Sequence, residues 1–319
     1  MGIKITKDIK EYIFKPRKFK FSVGMDNKWL SAGEKRRLKR LILPNGKIFL
    51  LPYDQAVEHS TYDNLNNPES IHADYEIRIA KEAKMSGVVL HPGAAMKHLP
   101  DFEDVPLVLK VDGKSDIPSL DPISCPLASV EKALELDAAA IGTTFYYGSP
   151  EQYKIIEGLS MLIEEAHNAD IPVIVWAYPR GKFIDAKGGR DCLGNIAAAV
   201  KLANDMGAAI VKANMPEPFD TAKKSQYHKT YQELELNSEE GMSWVVKGCA
   251  GYSGVILSGG DKMSEEELIA KVRSAMKAEA DGLVIGRNVF LRKHDDAVRL
   301  VNKLMAVLDD YSTTGDTVL

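Results

Sequence analysis

The sequence predicts a (β/α)8 TIM barrel preceded by an N-terminal extension. Three features support this: eight short apolar segments recur along the chain, helical patterns separate most of them, and the segments are continuously apolar. Continuous apolar segments are typical of strands buried on both faces, as in parallel sheets. Eight β–α units over about 260 residues match the size of this barrel. An open doubly wound sheet is the alternative, but no strand is followed by Gly-x-Gly-x-x-Gly.

The predicted elements follow one another in chain order. The eight strands begin near Phe49, Gly87, Pro106, Ala138, Pro172, Ala208, Gly254 and Gly282. Amphipathic helices are expected over 73–85, 127–136, 151–168, 193–206, 238–249, 264–280 and 295–309. Ser264 followed by Glu267 predicts a capping box at the start of the helix over 264–280. The second unit is short and leaves room for little beyond a helix over 94–99.

The charge distribution divides the chain. Its 319 residues carry 41 Lys or Arg and 45 Asp or Glu, a net charge of −4 that argues against a nucleic-acid-binding protein. Residues 1–47 nevertheless contain 14 basic and 4 acidic residues. We therefore predict a basic extension over 1–47, a barrel domain over 48–310 and a tail over 311–319. Apolar residues in the extension favour docking on the chain's own body or a neighbouring subunit over binding a nucleic acid or membrane.

Other features of the sequence bear on location and cofactors. No segment approaches the roughly 20 apolar residues that cross a bilayer, and the N-terminus lacks a signal-peptide pattern. Three widely spaced cysteines predict reduced thiols in a cytoplasmic protein. The seven histidines show no metal-ligand spacing, so neither a metal nor another cofactor is expected.

Candidate catalytic residues lie at strand ends, where the chemistry of such barrels gathers. Lys212 ends the sixth strand, where burial disfavours the charged amine and would favour a nucleophile, although a lysine reaching out to solvent is equally consistent. Tyr178 is expected within reach of Lys212 as a proton donor or acceptor, and Trp176 faces the same way. Asp54 points a carboxylate into the same mouth or caps the next segment.

Glycine-rich turns follow the seventh and eighth strands. They comprise Ser258, Gly259 and Gly260, and then Gly286 and Arg287. This is the usual position of a phosphate site in the barrel. The backbone N–H groups at the glycines and at Arg287, together with the Arg287 charge, would bind the anion. The alternative is that the glycines merely permit tight turns.

The pattern resembles the archaeal-type class I fructose-bisphosphate aldolases of the DeoC/FbaB-like aldolase superfamily. The resemblance rests on Asp54-Gln55-Ala56-Val57-Glu58-His59, Trp176-Ala177-Tyr178-Pro179-Arg180-Gly181, Ile210-Val211-Lys212 and the two glycine-rich turns. It runs from about Phe49 to the eighth helix. Family members often carry glycine at the positions of Ala56 and Ser60, a difference in the first loop that bears on substrate choice.

The resemblance implies reversible cleavage of fructose 1,6-bisphosphate to dihydroxyacetone phosphate and glyceraldehyde 3-phosphate. By position, Lys212 would form the Schiff base, Tyr178 would transfer a proton and Asp54 would assist at the carbinolamine and hydroxyl steps. Trp176 would shape the pocket, and the glycine-rich turns with Arg287 would hold the phosphate of the dihydroxyacetone-phosphate half. The resemblance also implies a homo-oligomer, often built from pentameric rings.

Other functions stay open on the sequence. One is a related lysine-dependent aldolase or thiolase acting on another phosphorylated ketose, which a substrate panel would separate. A second is a non-catalytic sugar-phosphate-binding barrel, which would bind its ligand without turnover. A third, metal-dependent aldol cleavage, would be inactivated by EDTA. The ligand of the second phosphate is not identified, and Arg180 is a candidate for it.

Overall fold

The computed structural model describes residues 2–17, 21, 28–116, 122–232 and 234–312. Eight parallel strands close into a barrel, in which β8 pairs with β1. The strands are β1 Ile48–Tyr53, β2 Gly87–Leu90, β3 Leu107–Lys110, β4 Ala140–Tyr147, β5 Val173–Pro179, β6 Ile210–Ala213, β7 Gly254–Ser258 and β8 Gly282–Val284. The predicted barrel is confirmed, and every predicted strand start lies within two residues of the observed one.

Helices surround the barrel and precede it. They are α1 Gly2–Phe14, α2 Ala32–Lys39, α3 Ala73–Glu82, α4 Pro92–His98, α5 Val130–Glu135, α6 Gln152–Asn168, α7 Lys182–Asp185, α8 Leu193–Asp205, α9 Ser238–Gly248, α10 Glu265–Lys277, α11 Arg287–Phe290 and α12 His294–Asp309. The capping box of α10 is confirmed: the Ser264 hydroxyl accepts from the Glu267 amide, and the Glu267 carboxylate accepts from the Ser264 amide. The short second unit contains α4.

Strand side chains alternate between the barrel interior and the layer beneath the helices. Leu50 and Ile256 belong to an interior cluster that also contains Leu38 and Leu41 of the extension, and all four are fully buried. Phe49 and Leu51 belong instead to the larger cluster shared with the helices. The segment that includes α2 therefore closes the amino-terminal end of the barrel, and the opposite end stays available for a site.

Basic side chains of the extension bind the chain's own body. Arg17 forms an ion pair with Asp281 at 3.0 Å, and Arg37 donates to the carbonyl of Ala138 at 2.8 Å. These contacts favour docking on the body over a nucleic-acid arm. Residues 18–20 and 22–27 of the extension and 313–319 of the tail lie outside the described residues, so the boundaries of the three regions stay predictions.

The part of the chain that the structure describes contains no helix long and apolar enough to cross a membrane. Cys125, Cys192 and Cys249 are free thiols. Burial raises the pKa of the Cys249 thiol to about 12. Cys249 therefore stays protonated at neutral pH and is not a nucleophile.

Candidate active site

Lys212 lies on β6 near the carboxyl end of the barrel. It pairs in register with Trp176 of β5, and its Nζ lies 5.1 Å from the centre of the indole. The residue is only 4% exposed. No described residue forms a hydrogen bond or ion pair with the Lys212 amine. A buried amine without a carboxylate partner is suited to attack a carbonyl.

The position of Trp176 depends on a glycine in the neighbouring strand. A Cβ added to Gly142 of β4 would lie 2.7 Å from Cη2 and 2.8 Å from Cζ3 of the indole. Contacts this short are not tolerated in packed interiors, so a larger residue would displace the ring. Gly142 therefore keeps Trp176 where it can form one wall of the Lys212 pocket.

Tyr178 lies beside Lys212, as the sequence predicted. Its ring centre is 5.8 Å from the Lys212 Nζ, and its hydroxyl is 3.5 Å from the Ser258 hydroxyl at the end of β7. The Arg180 guanidinium lies 5.1 Å from the centre of the same ring and donates to the carbonyl of Pro179 at 2.7 Å. The phenol is thus close to both the candidate nucleophile and the first glycine-rich turn.

Asp54 follows β1 and lies at the same end of the barrel. Its Oδ2 is 3.8 Å from the His59 Nε2. Burial lowers the pKa of His59, Asp54 opposes this, and the positive charges of Arg287 and Lys212 lower it further. Asp54 therefore lies beside a histidine whose pKa also responds to the charges of Arg287 and Lys212. Because burial lowers the pKa of His59, the neutral imidazole is favoured.

The loop after β1 contains the two positions, Ala56 and Ser60, at which the resembled family often carries glycine, and only Ala56 has a backbone conformation that favours it. Ala56 adopts a φ of +69°, in the left-handed region where a Cβ costs about 1–2 kcal/mol. Ser60 accepts a hydrogen bond from the Tyr62 amide at 3.2 Å and caps the 3₁₀ turn that follows. Glycine would relieve the strain at the first position but remove the cap at the second.

A buried polar network lies next to Trp176 at the mouth, where the Lys110 Nζ is 5.7 Å from the centre of the indole. Lys110 at the end of β3 donates to Glu58 at 3.2 Å and forms an ion pair with Asp112. Asp112 also accepts from the Thr144 amide at 2.8 Å, and the Tyr146 hydroxyl lies 3.4 Å from Glu58. Burial alone would lower the pKa of Lys110, but the two carboxylates more than offset this and raise it. Lys110 is therefore a fixed cation.

A second histidine, His91, lies at the rim. His91 lies buried just after β2, and burial together with the Lys110 charge lowers its pKa to about 4. His91 is therefore neutral at physiological pH, and its Nε2 has no hydrogen-bond partner among the described residues. Within 2–17, 21, 28–116, 122–232 and 234–312, no three His, Cys, Asp or Glu side chains are grouped to hold a metal.

The turn after β7 only partly matches the predicted phosphate cradle. The amide of Gly259 donates to the carbonyl of Val284 at 3.0 Å, so the expectation that this N–H binds a phosphate is wrong. Gly260 adopts a φ of +77°, and a Cβ there would lie 2.9 Å from the Lys271 Nζ. Lys271 of α10 donates to the carbonyl of Gly259 at 3.1 Å and so adds a cation to the turn.

The turn after β8 places Arg287 beside the β7 turn. Arg287 Nη2 lies 3.3 Å from Asp261, one residue after Gly260. The side chain of Asn288 links the two turns. Its Nδ2 donates to the backbone carbonyl of Asp261 at 3.1 Å, and its Oδ1 accepts from the backbone amide of Met263 at 3.0 Å. At Gly286, a Cβ would lie 3.0 Å from the carbonyl oxygen of Pro52. The two turns therefore form one surface.

Comparison with known proteins identifies the family. The family model of the DeoC/LacD family aldolases matches residues 48–292. This chain belongs to the DeoC/LacD aldolases. Among curated members, the class 1 fructose-bisphosphate aldolase of Thermoproteus tenax is 34% identical over 266 residues, which cover 83% of this chain and 90% of that protein. The enzyme of the same name from Halobacterium salinarum is 30% identical over 275 residues, covering 86% and 95%.

Solved structures give the same result. An archaeal fructose-1,6-bisphosphate aldolase is 30% identical, covers 86% of this chain and 98% of its own, and superposes with a TM-score of 0.73. In that structure the catalytic lysine is covalently bound to the carbinolamine intermediate of the substrate. Membership of the DeoC/LacD aldolases agrees with the predicted resemblance.

Three features at the mouth of this aldolase were not predicted from the sequence: the contact of Lys271 with the first glycine-rich turn, the orientation of Glu58 and the ion pairs of Lys110. Lys271 belongs to an amphipathic helix, where a lysine is typical of the surface. Glu58 was known to follow Asp54, but its orientation depends on the left-handed Ala56. The ion pairs of Lys110 connect the end of β3 with this loop, and no spacing pattern in the sequence indicates them.

Proposed function

We propose that this chain is a class I aldolase that reversibly cleaves fructose 1,6-bisphosphate to dihydroxyacetone phosphate and glyceraldehyde 3-phosphate. The observation that carries the proposal is the buried Lys212 amine, 5.1 Å from Trp176 and 5.8 Å from Tyr178, without a described carboxylate partner. Its family relatives carry this name, and one solved relative has an intermediate bound to its catalytic lysine. Lys212 is the corresponding residue by motif.

The Lys212 amine would attack the C2 carbonyl of the ketose and form a carbinolamine. Loss of water then gives a protonated imine, which acts as an electron sink. When a base removes the proton of the C4 hydroxyl, the C3–C4 bond breaks, the aldehyde leaves, and the electron pair moves into the imine to give an enamine. Protonation of C3 and hydrolysis of the imine release dihydroxyacetone phosphate and regenerate the amine.

Tyr178 and Asp54 are the groups we assign to these proton transfers. Tyr178 lies beside the Lys212 amine and would return the proton to the enamine carbon. Asp54 would assist loss of water from the carbinolamine and removal of the hydroxyl proton. Trp176 would confine the substrate carbon chain against the lysine. A proton-transfer group in this position typically contributes about 10²–10⁴ in rate.

The phosphate of the dihydroxyacetone-phosphate half would bind at the glycine-rich turns. Ser258 and Gly260 line the first turn, and Gly286 and Arg287 the second. Lys271 supports the same role because its ammonium lies at the Gly259 carbonyl. Phosphate binding would orient the substrate so that its carbonyl faces Lys212, which removes much of the entropic barrier. Gly259 would contribute space rather than its amide.

A related lysine-dependent aldolase acting on another phosphorylated ketose is the second candidate. The substituted first loop favours it, because Ala56 and Ser60 lie in the segment that follows Asp54. Such an enzyme would keep the Lys212 chemistry and the phosphate site. It would differ in which aldehyde half it accepts at the first loop.

A substrate panel with and without EDTA tests the proposal. We expect cleavage of fructose 1,6-bisphosphate to exceed that of other phosphorylated ketoses, to survive EDTA, and to be lost in Lys212→Met. The matched control is Lys154→Met, which removes an exposed lysine of α6 and should keep full activity. Preference for another ketose would support the second candidate, and turnover by Lys212→Met would contradict both.

We also infer a cytoplasmic homo-oligomer, as the resemblance implies, built from pentameric rings. The described free thiols are consistent with a reducing compartment. Sedimentation velocity at micromolar concentration tests the assembly: a species that is a multiple of five chains is expected, and a monomer would contradict it.

A further inference from the structure

Four loops at the carboxyl end of the barrel meet in a network of ion pairs around Asp261. One carboxylate oxygen of Asp261 accepts from Arg190 Nη2 at 3.1 Å, and the other from Arg287 Nη2 at 3.3 Å. Arg190 lies between α7 and α8, whereas Arg287 begins α11. A single carboxylate therefore bridges two guanidinium groups, one from a loop that precedes Asp261 in the chain and one from a loop that follows it.

The network combines charges of both signs. Its ion pairs join Arg190 and Arg287 to Asp63, Asp191 and Asp261. Burial lowers the pKa of the nearby Lys271 ammonium, and the charges of Asp191 and Asp261 oppose this. Burial would raise the pKa of Asp261, but Arg190 and Arg287 outweigh it and lower the pKa below its ordinary value. Asp261 is thus ionised at neutral pH and occupies donors that otherwise suit a phosphate.

The Asp261 side chain is free to leave while its backbone stays in place. Asn288 holds the backbone of the turn through the Asp261 carbonyl and the Met263 amide. The Asp261 side chain is 69% exposed, so a change of rotamer would move the carboxylate into solvent. Exposed ion pairs of this kind are weak, and a phosphate with its larger charge competes well against them.

We propose that Asp261 is an internal competitor for the substrate phosphate, and that Arg190 is a second guanidinium ligand of that phosphate beside Arg287. The carboxylate holds both guanidinium groups in place, and an arriving phosphate displaces it and takes over their N–H donors. This inference rests on the proposed function in that the glycine-rich turns bind a phosphate. Competition from Asp261 then lowers the affinity of the site for phosphate, and Arg190 places the loop between β5 and α8 in contact with the bound substrate.

Isothermal titration with inorganic phosphate at fixed ionic strength tests the inference without requiring turnover. Replacement by Asp261→Asn removes the competing charge, and we expect phosphate to bind about fivefold more tightly, as loss of two weak ion pairs predicts. In Arg190→Gln, phosphate should bind about fivefold more weakly. The matched control is Asp310→Asn, which removes a carboxylate paired with Arg273 at 3.2 Å at the far end of α12 and should leave phosphate affinity unchanged.

The outcomes separate this inference from the proposed function. Equal phosphate affinity in wild type and Asp261→Asn, or no phosphate binding by either, overturns the inference, whether or not fructose 1,6-bisphosphate is cleaved. Tighter binding in Asp261→Asn with no cleavage by the wild type would support the inference and contradict the proposed reaction. Circular dichroism melting confirms that each variant is folded. If Asp261→Asn fails to fold, unchanged phosphate affinity in Arg190→Gln overturns the inference by itself.

Discussion

Lys110 and Lys212 direct their ammonium nitrogens to the same indole, that of Trp176, at 5.7 Å and 5.1 Å from its centre. Only Lys110 has carboxylate partners among the described residues, Glu58 and Asp112. This difference divides their roles. Lys110 is held as a cation by its two carboxylate partners, and in the proposed reaction it is Lys212 that attacks the substrate carbonyl.

Replacement of Lys110 by Met is expected to destabilise the fold by about 3–5 kcal/mol, because Glu58 and Asp112 would remain buried without their counter-charge. Urea denaturation at pH 7 measures the free energy of unfolding. The control is Lys201→Met, which breaks an exposed pair with Asp205 on α8 and should cost less than about 1 kcal/mol. Equal losses in the two variants would mean that the Lys110 pairs are no stronger than surface ones.

Replacement of Tyr178 by Phe is expected to lower kcat by about 10²–10³ and to leave KM within a few-fold. The ring is retained, so the packing against Lys212 and Arg180 persists, and the change removes only the hydroxyl, which is the proton-transfer group and lies 3.5 Å from the Ser258 hydroxyl. Steady-state kinetics with fructose 1,6-bisphosphate measures both constants. Tyr153→Phe, on the exposed face of α6, is the control with expected wild-type rates. A Tyr178→Phe variant with an unchanged kcat would remove Tyr178 from the mechanism.

Glu76 of α3 makes stability depend on pH. Its side chain is fully buried, neither carboxylate oxygen has a partner among the described residues, and burial raises its pKa well above the ordinary value of 4.5. As the pH rises past 4.5, the unfolded chain releases this proton before the folded chain does, so the free energy of unfolding falls. The fall is about 1.4 kcal/mol per pH unit until the folded-state pKa is reached.

Glu76→Gln removes this titration, so the variant should lose less stability than the wild type as the pH is raised from about 5 to about 8. Urea denaturation at several pH values gives the two curves. Glu157→Gln changes an exposed carboxylate on α6 and should run parallel to the wild type. Parallel curves for Glu76→Gln would show that Glu76 does not titrate differently on folding.

The barrel could be predicted because its strands are buried on both faces and so leave continuous apolar segments in the sequence. Strand β4 shows where that signal ends: the strand begins near the predicted position but continues to Tyr147 through Thr143 and Thr144, which are buried polar residues. An apolar pattern marks the start of such a strand but not its polar carboxyl-terminal half. Helix α5 likewise begins at Val130 rather than 127, because Ser129 caps it.

Residues at strand ends could be assigned to the site because the barrel topology places them together. Trp176, Tyr178 and Lys212 follow this rule directly. The partners of Arg287 could not be assigned, since Asp261 reaches it across a loop whose course the sequence does not determine. The backbone amide of Gly259 was expected to bind a phosphate, but it donates to the carbonyl of Val284 in the neighbouring strand instead. The register between β7 and β8 determines this hydrogen bond.

Borohydride reduction in the presence of fructose 1,6-bisphosphate, followed by peptide mass mapping, tests the central claim most directly. The imine that we propose would be reduced to a stable secondary amine, so we expect inactivation and a dihydroxyacetone-phosphate adduct on the peptide containing Lys212. Lys110 should remain unmodified. Continued turnover after reduction with no adduct at Lys212, or an adduct on Lys110 instead, would contradict the account.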